Sequence, residues 1–146
     1  MMIQFVVPGP PHGKQRPTYS QQPNGRVVIF TPLKTKVYEE LVRSSYMQVA
    51  GKTFFSGPVR VDIWAYYPIP KSATGTRREL MLSGQIVPEV KPDIDNVAKV
   101  ILDGLNQTAY KDDAAVVQVS GCKLYTDREP CVVTRVSDAV LIPAAM

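Results

Sequence analysis

The stretch "VKPDIDNVAKVILDGLNQTAYKDDAAVV" carries Asp93, Asp95, Asp103, Asp112 and Asp113 around one short amphipathic pattern. Carboxylates brought together raise one another's pKa, so such a cluster is costly at neutral pH unless a cation neutralises it. A donor set of carboxylate oxygens, without thiolate or imidazole, suits a hard divalent ion such as Mg²⁺ or Mn²⁺. Lys99 stands four residues after Asp95 on the same helical face. It can close an i,i+4 ion pair worth a few tenths of a kcal/mol, or hold a phosphate and stabilise charge as a phosphodiester is attacked.

Local geometry decides how much of this the segment can do alone. Pro92 biases its surroundings toward extended backbone, in which Asp93 and Asp95 project to one side. Ile94, Val97, Ala98, Ile101 and Leu105 then form one apolar stripe, which predicts a helix over about 95–105 with Asp95 as N-cap and Asp93 just outside it. A plainer reading serves both residues: one cap and one solvated turn residue, each favoured by the positive end of the helix dipole. That reading leaves Asp112 and Asp113 unexplained. They precede a strand, and only the fold can bring them to the helix. Asp103 is expected to pair with Lys99 rather than bind metal. His12, the only histidine, lies in a Pro/Gly loop; a solvated role is expected for it and no acid–base role is assigned.

The remaining elements must position these residues. "MIQFVV" reads as a strand ending at "PGPPHGKQRP", and Asn24-Gly25 before "RVVIF" signals a hairpin. Leu33, Val37, Leu41 and Val42 recur at helical spacing over 32–50, closed by Gly51. "PVRVDIWAYY" alternates as a two-faced strand, and "PIPKSATGTRREL" is a loop or arm opening a short helix near Thr76. "AAVVQVSGCKLY" and "PCVVTRVSDAV" read as two adjacent strands. The order β, β, α, β, (α), α, β, β implies α+β, in a single domain spanning 1–146.

Composition adds little beyond class. Hydrophobic content is 45%, charged content 21%, and the net charge +4, which leans mildly toward polyanionic partners. Cys122 and Cys131 fit no zinc spacing; on adjacent strands a disulfide between them is geometrically possible, but two small half-buried thiols are the expected reading. The opening residues do not resemble a signal peptide, and no apolar run approaches membrane-spanning length, so a soluble cytoplasmic protein without a membrane partner is expected.

"KPDIDNVAKVILDGLN" followed by "YKDDAAVV" resembles the signature of the RusA-type Holliday-junction resolvases, and "VPGPPHGKQRP" resembles the opening of their phage and prophage members. The likeness runs over essentially the whole chain. It implies an α+β homodimer with a mixed sheet packed against helices. It implies that Asp93, Asp95 and Asp113 are catalytic and bind Mg²⁺, with Mn²⁺ able to substitute, and that Lys99 is the essential basic residue. Asp112 fits the first member of the second acidic pair. The activity implied is a crossover junction endodeoxyribonuclease that nicks opposed strands of branched DNA during recombination and repair. Lys14, Arg16, Lys71, Arg77 and Arg78 are the expected DNA contacts, some of which can equally be solubilising charge. Trp64, Tyr66 and Tyr67 could stack on unpaired bases, although alternating strand residues are more often core or dimer contacts. A related nuclease acting on forks or flaps would use the same residues, and a non-catalytic DNA-binding protein is the further alternative. Two departures stand out: Ala115 where Gln is common, and Gly104 where Ala is common, the latter costing a helix about 1 kcal/mol.

Overall fold

Four strands make one mixed sheet in the computed structural model, which describes residues 1–146. The chain runs β1 (Met2–Pro8), β2 (Thr18–Gln21), β3 (Val27–Phe30), α1 (Leu33–Ala50), β4 (Val59–Pro68), α2 (Gly75–Leu82), α3 (Ile94–Leu105), β5 (Val116–Thr126) and β6 (Cys131–Asp138). The sheet order is β1-β6-β4-β5, with β4 and β5 parallel and the other pairs antiparallel. The α+β class holds, with one strand more than expected because β2 and β3 form their own hairpin.

Alternation in β4 builds the core. Val59, Val61, Ile63, Ala65 and Tyr67 are buried, joined by Phe5 and Val7 of β1 and Val132 and Val136 of β6. Against them pack Tyr38, Val42 and Tyr46 of α1 and Val97, Val100, Ile101 and Leu105 of α3. Each valine, isoleucine, leucine or phenylalanine among them contributes about 1.5–3 kcal/mol when fully buried. Phe5 meets Tyr46 edge to face at 5.5 Å, the arrangement aromatic quadrupoles favour.

Gly104 explains itself here. A Cβ at that position would lie 2.9 Å from Val42 Cβ and 3.2 Å from the Glu39 carbonyl oxygen. The glycine therefore lets α3 cross α1 at closer range than alanine permits, which offsets its weak helix propensity.

Two local expectations are corrected. Residues 116–126 and 131–138 are not adjacent strands: β4 lies between them, with Cys122 beside Trp64 on one side and Cys131 beside Tyr66 on the other. Both cysteines are free. The N-cap of α3 is Asp93, in extended backbone, and Asp95 falls in the first turn. Both aspartates are cap-competent, and Ile94 docks on Gly121 of β5, which draws it into the helix.

The hairpin of β2 and β3 is exposed along both strands. Tyr19, Ile29 and Phe30 all present apolar surface to solvent, as do Leu33 and Val37 at the start of α1. No helix is long and apolar enough to cross a membrane.

Candidate active site

The loop after β1 is tied down from two sides, and this sets one wall of the site. Buried Thr35 accepts a hydrogen bond from Gln15 N at 3.4 Å and lies 3.3 Å from His12 Nε2. Lys14 N donates to the Asn96 carbonyl at 2.9 Å. Gly13 passes so close to the start of α3 that a Cβ there would sit 2.8 Å from Pro92 Cβ and 3.2 Å from Asn96 Cβ. His12 is thus partly buried and stacked on Tyr38 at 5.1 Å, not solvated as expected. Burial, then the nearby Lys34 charge, holds its pKa below the usual histidine range.

Along α3, charge alternates. Lys99 Nζ lies 3.4 Å from Asp103 and 3.7 Å from Asp113, the residue that opens the short 3₁₀ turn before β5. Lys14 Nζ lies 3.1 Å from Asp103 and 2.6 Å from Glu39 of α1. The result is a ladder Glu39–Lys14–Asp103–Lys99–Asp113 that joins α1, the first loop, α3 and the turn into β5. Asp103 is the expected partner of Lys99, and Lys14 shares it. At the N-terminal end, Lys91 pairs with Asp93 at 2.8 Å, and Asp95 is exposed.

The second acidic pair carries its own strain. Asp113 is held above the ordinary carboxylate range chiefly by a hydrogen bond with Asp112, then by burial, with Lys99 opposing. Asp112 is correspondingly lowered, first by that bond and then by the Ala114 N–H it accepts. Tyr110 lies beneath, its hydroxyl donating to the Leu102 carbonyl at 2.8 Å. Burial raises its pKa, and the fields of Asp113, Asp103 and Asp112 add to the effect.

The donor chemistry fits a hard divalent cation, since the acidic side chains offer only carboxylate oxygens. The closed acidic pocket expected from the sequence is nonetheless not formed in the single chain. No three acidic, histidine or cysteine side chains stand close enough together to hold one ion. Lys91 and Lys99 occupy the charge that a cation would meet, so binding one requires them to give way.

The expected DNA contacts separate into kinds. Lys14 is enclosed by two carboxylates, whereas Arg16 and Arg77 are exposed. Lys71 and Arg78 line one cleft together with Arg128, near Asp127, which sits 3.8 Å from Arg78. Buried Asp62 anchors a separate polar group on the sheet with Arg60 and Ser120, Arg60 Nε donating to it at 2.9 Å. Trp64 is covered by Arg135 at 5.0 Å. Sequence reasoning missed Glu39, Lys91, Asn96 and Arg128. Arg128 carried a signal as a cation in the "TDREP" turn, and Lys91 as a cation two residues before Asp93; Glu39 and Asn96 acquire their roles from tertiary approach.

The structure thus sets a D-x-D pair at the start of α3 and brings Lys99 of the same helix to the acidic turn before β5. Comparison with known proteins places the chain more closely. Residues 8–137 match the model of the endodeoxyribonuclease RusA family, and the chain belongs to that family. It is also 36% identical over 127 residues to the uncharacterized protein YqaN of Bacillus subtilis (strain 168), covering 86% of this chain and 89% of that one.

Proposed function

We propose that this protein is a divalent-cation-dependent endodeoxyribonuclease that resolves four-way DNA junctions by paired nicks in opposed strands. The observation that carries the reading is the approach of Lys99 to Asp113 at 3.7 Å, which ties the D-x-D helix to the distant acidic turn. Membership of the endodeoxyribonuclease family supports the reaction class. Asp93, Asp95 and Asp113 would hold Mg²⁺, or Mn²⁺ in its place, with Asp112 orienting Asp113. The ion, when bound, supplies a nucleophile at neutral pH and charge neutralisation on the phosphate.

The chain's own residues do the rest. Lys99 is the mobile cation: 55% of its side chain is exposed, so it can leave Asp113 for a phosphate oxygen as negative charge develops there. Asp103 holds the ammonium on the correct face of α3 during that exchange. Lys14 keeps Asp103 in place from the opposite side. Lys71, Arg78 and Arg128, with Arg16 and Arg77, attract the phosphate backbone. A homodimer would match the twofold symmetry of a junction, and the exposed apolar hairpin with Leu33 and Val37 is the surface such pairing would cover.

The test is cleavage of a synthetic four-way junction against a linear duplex of the same sequence, with Mg²⁺ and with EDTA. Preferential, Mg²⁺-dependent paired nicking of the junction is expected. Equal cleavage of both substrates would make it a less selective nuclease. Binding without cleavage in Mg²⁺ would make it a non-catalytic DNA-binding protein.

A further inference from the structure

Three clefts follow one another across the molecule. The first is polar and holds His12, Lys14, Asp93 and Asn96. The second, of about 300 Å³, is walled by Pro10, Tyr67, Pro70, Val90 and Tyr125 and contains no carboxylate. The first and second share Pro11, Lys91 and Pro92 as a common ridge. The third is the basic cleft of Lys71, Arg78 and Arg128, and it shares Pro68 and Pro70 with the second.

We infer that the middle cleft binds one unpaired nucleobase of the DNA strand whose phosphate lies in the neighbouring cleft of Asp93. The inference rests on the nuclease reading above and adds to it a subsite. A strand passing from the acidic centre to the basic cleft must cross the ridge of Pro11, Lys91 and Pro92. The surface beyond that ridge is apolar and aromatic, which suits a base and not a phosphate. Tyr125 of β5 is only partly buried and can offer a ring face, while its neighbour Tyr67 of β4 is buried and forms the floor beside it; base–aromatic stacking is tolerant of base identity. Two cations stand by this wall: Lys123 Nζ lies 5.1 Å from the Tyr67 ring centre and donates to the Val90 carbonyl, and Lys91 lines the ridge. They would meet the sugar–phosphate as the base turns inward. The cleft is also coupled to the catalytic centre. Tyr67 Oη donates to the Pro92 carbonyl at 2.6 Å, which fastens the wall of the cleft to the backbone entering Asp93.

The test uses four-way junctions in which a single abasic residue is moved nucleotide by nucleotide around the branch point. Binding is read by fluorescence anisotropy in EDTA, and nicking in Mg²⁺. In the parent, one position should show about a tenfold loss of affinity or nicking when its base is removed. Tyr125→Ala should lose a similar factor on the intact junction and show no further loss with the abasic one. Val90→Trp, made at an exposed position, fills the cleft instead of stripping it and should erase the same positional penalty, so the test survives if Tyr125→Ala unfolds. Equal abasic penalties in the parent and in a folded variant at every position would overturn the subsite while leaving the nuclease reading intact. A parent that neither binds nor nicks the intact junction would overturn both.

Discussion

Lys99 reaches from the middle of α3 to Asp113, at the turn into β5, with its Nζ 3.7 Å from the carboxylate. Lys99→Ala is expected to lower junction cleavage by at least a hundredfold, the range over which a positioned transition-state charge acts. Its effect on the melting transition should be under about 1 kcal/mol, because the ion pairs are solvent-screened. Single-turnover cleavage alongside thermal unfolding checks both. A large loss of stability with activity retained would make Lys99 a structural residue only.

Lys14 differs from the other cations. Burial pulls its pKa down, but the hydrogen bonds it donates to Glu39 and Asp103 outweigh this and hold it above the ordinary lysine value. A raised pKa means that its stabilising contribution is complete below about pH 10.5 and fades as pH rises through the folded value. Lys14→Met should therefore destabilise the protein by about 1–3 kcal/mol at neutral pH, and less in strong alkali. It should change the salt dependence of DNA binding little. Arg78→Ala or Arg128→Ala should reduce the salt slope by about 1 with stability unchanged.

Mg²⁺ should stabilise the folded chain without any DNA present. At a hundred times its dissociation constant a ligand adds about 2.7 kcal/mol. Calorimetry with Mg²⁺ should show a raised melting temperature for the parent and no rise for Asp93→Asn or Asp113→Asn. An equal rise in all three would place the ion elsewhere.

Asp113 should trade stability for function. Its folded pKa is raised, so the stability linked to its protonation is present below the unfolded value and lost as pH rises through the folded one. Asp113→Asn removes that loss and should leave the metal-free protein at pH 7 as stable as the parent or more so, by less than about 1 kcal/mol. The advantage should shrink as pH falls below 4. Melting temperature against pH in EDTA decides the sign.

Close approach makes two glycines irreplaceable. Gly104→Ala should cost about 1–3 kcal/mol through overpacking against Val42, and adding Val42→Ala should recover part of it. Gly13→Ala should push the first loop off Pro92 and Asn96 and lower nicking more than stability. Denaturant unfolding and cleavage rates separate the two cases.

Much of this arrangement was legible from pattern. The stripe Val97, Ile101 and Leu105 placed α3, Asn24-Gly25 marked the hairpin, and the Lys99–Asp103 pair followed from helical spacing. Strand order was not legible, because insertion of β4 between β5 and β6 depends on pairing across 57 to 79 residues. Local propensity could not decide between Asp93 and Asp95 as cap; docking of Ile94 on Gly121 did. Gly104 read as a defect until α1 stood beside it. Lys14 read as a DNA contact because Glu39, 25 residues on, gives no local sign of its approach.

The most direct test of the whole account is nicking of a four-way junction in Mg²⁺ by the parent and by Asp113→Asn, with folding of both verified. The account predicts that the parent nicks opposed strands and that Asp113→Asn binds the junction but leaves it uncut. Undiminished nicking by Asp113→Asn would contradict it, since α3 and the acidic turn would then not form one hydrolytic centre.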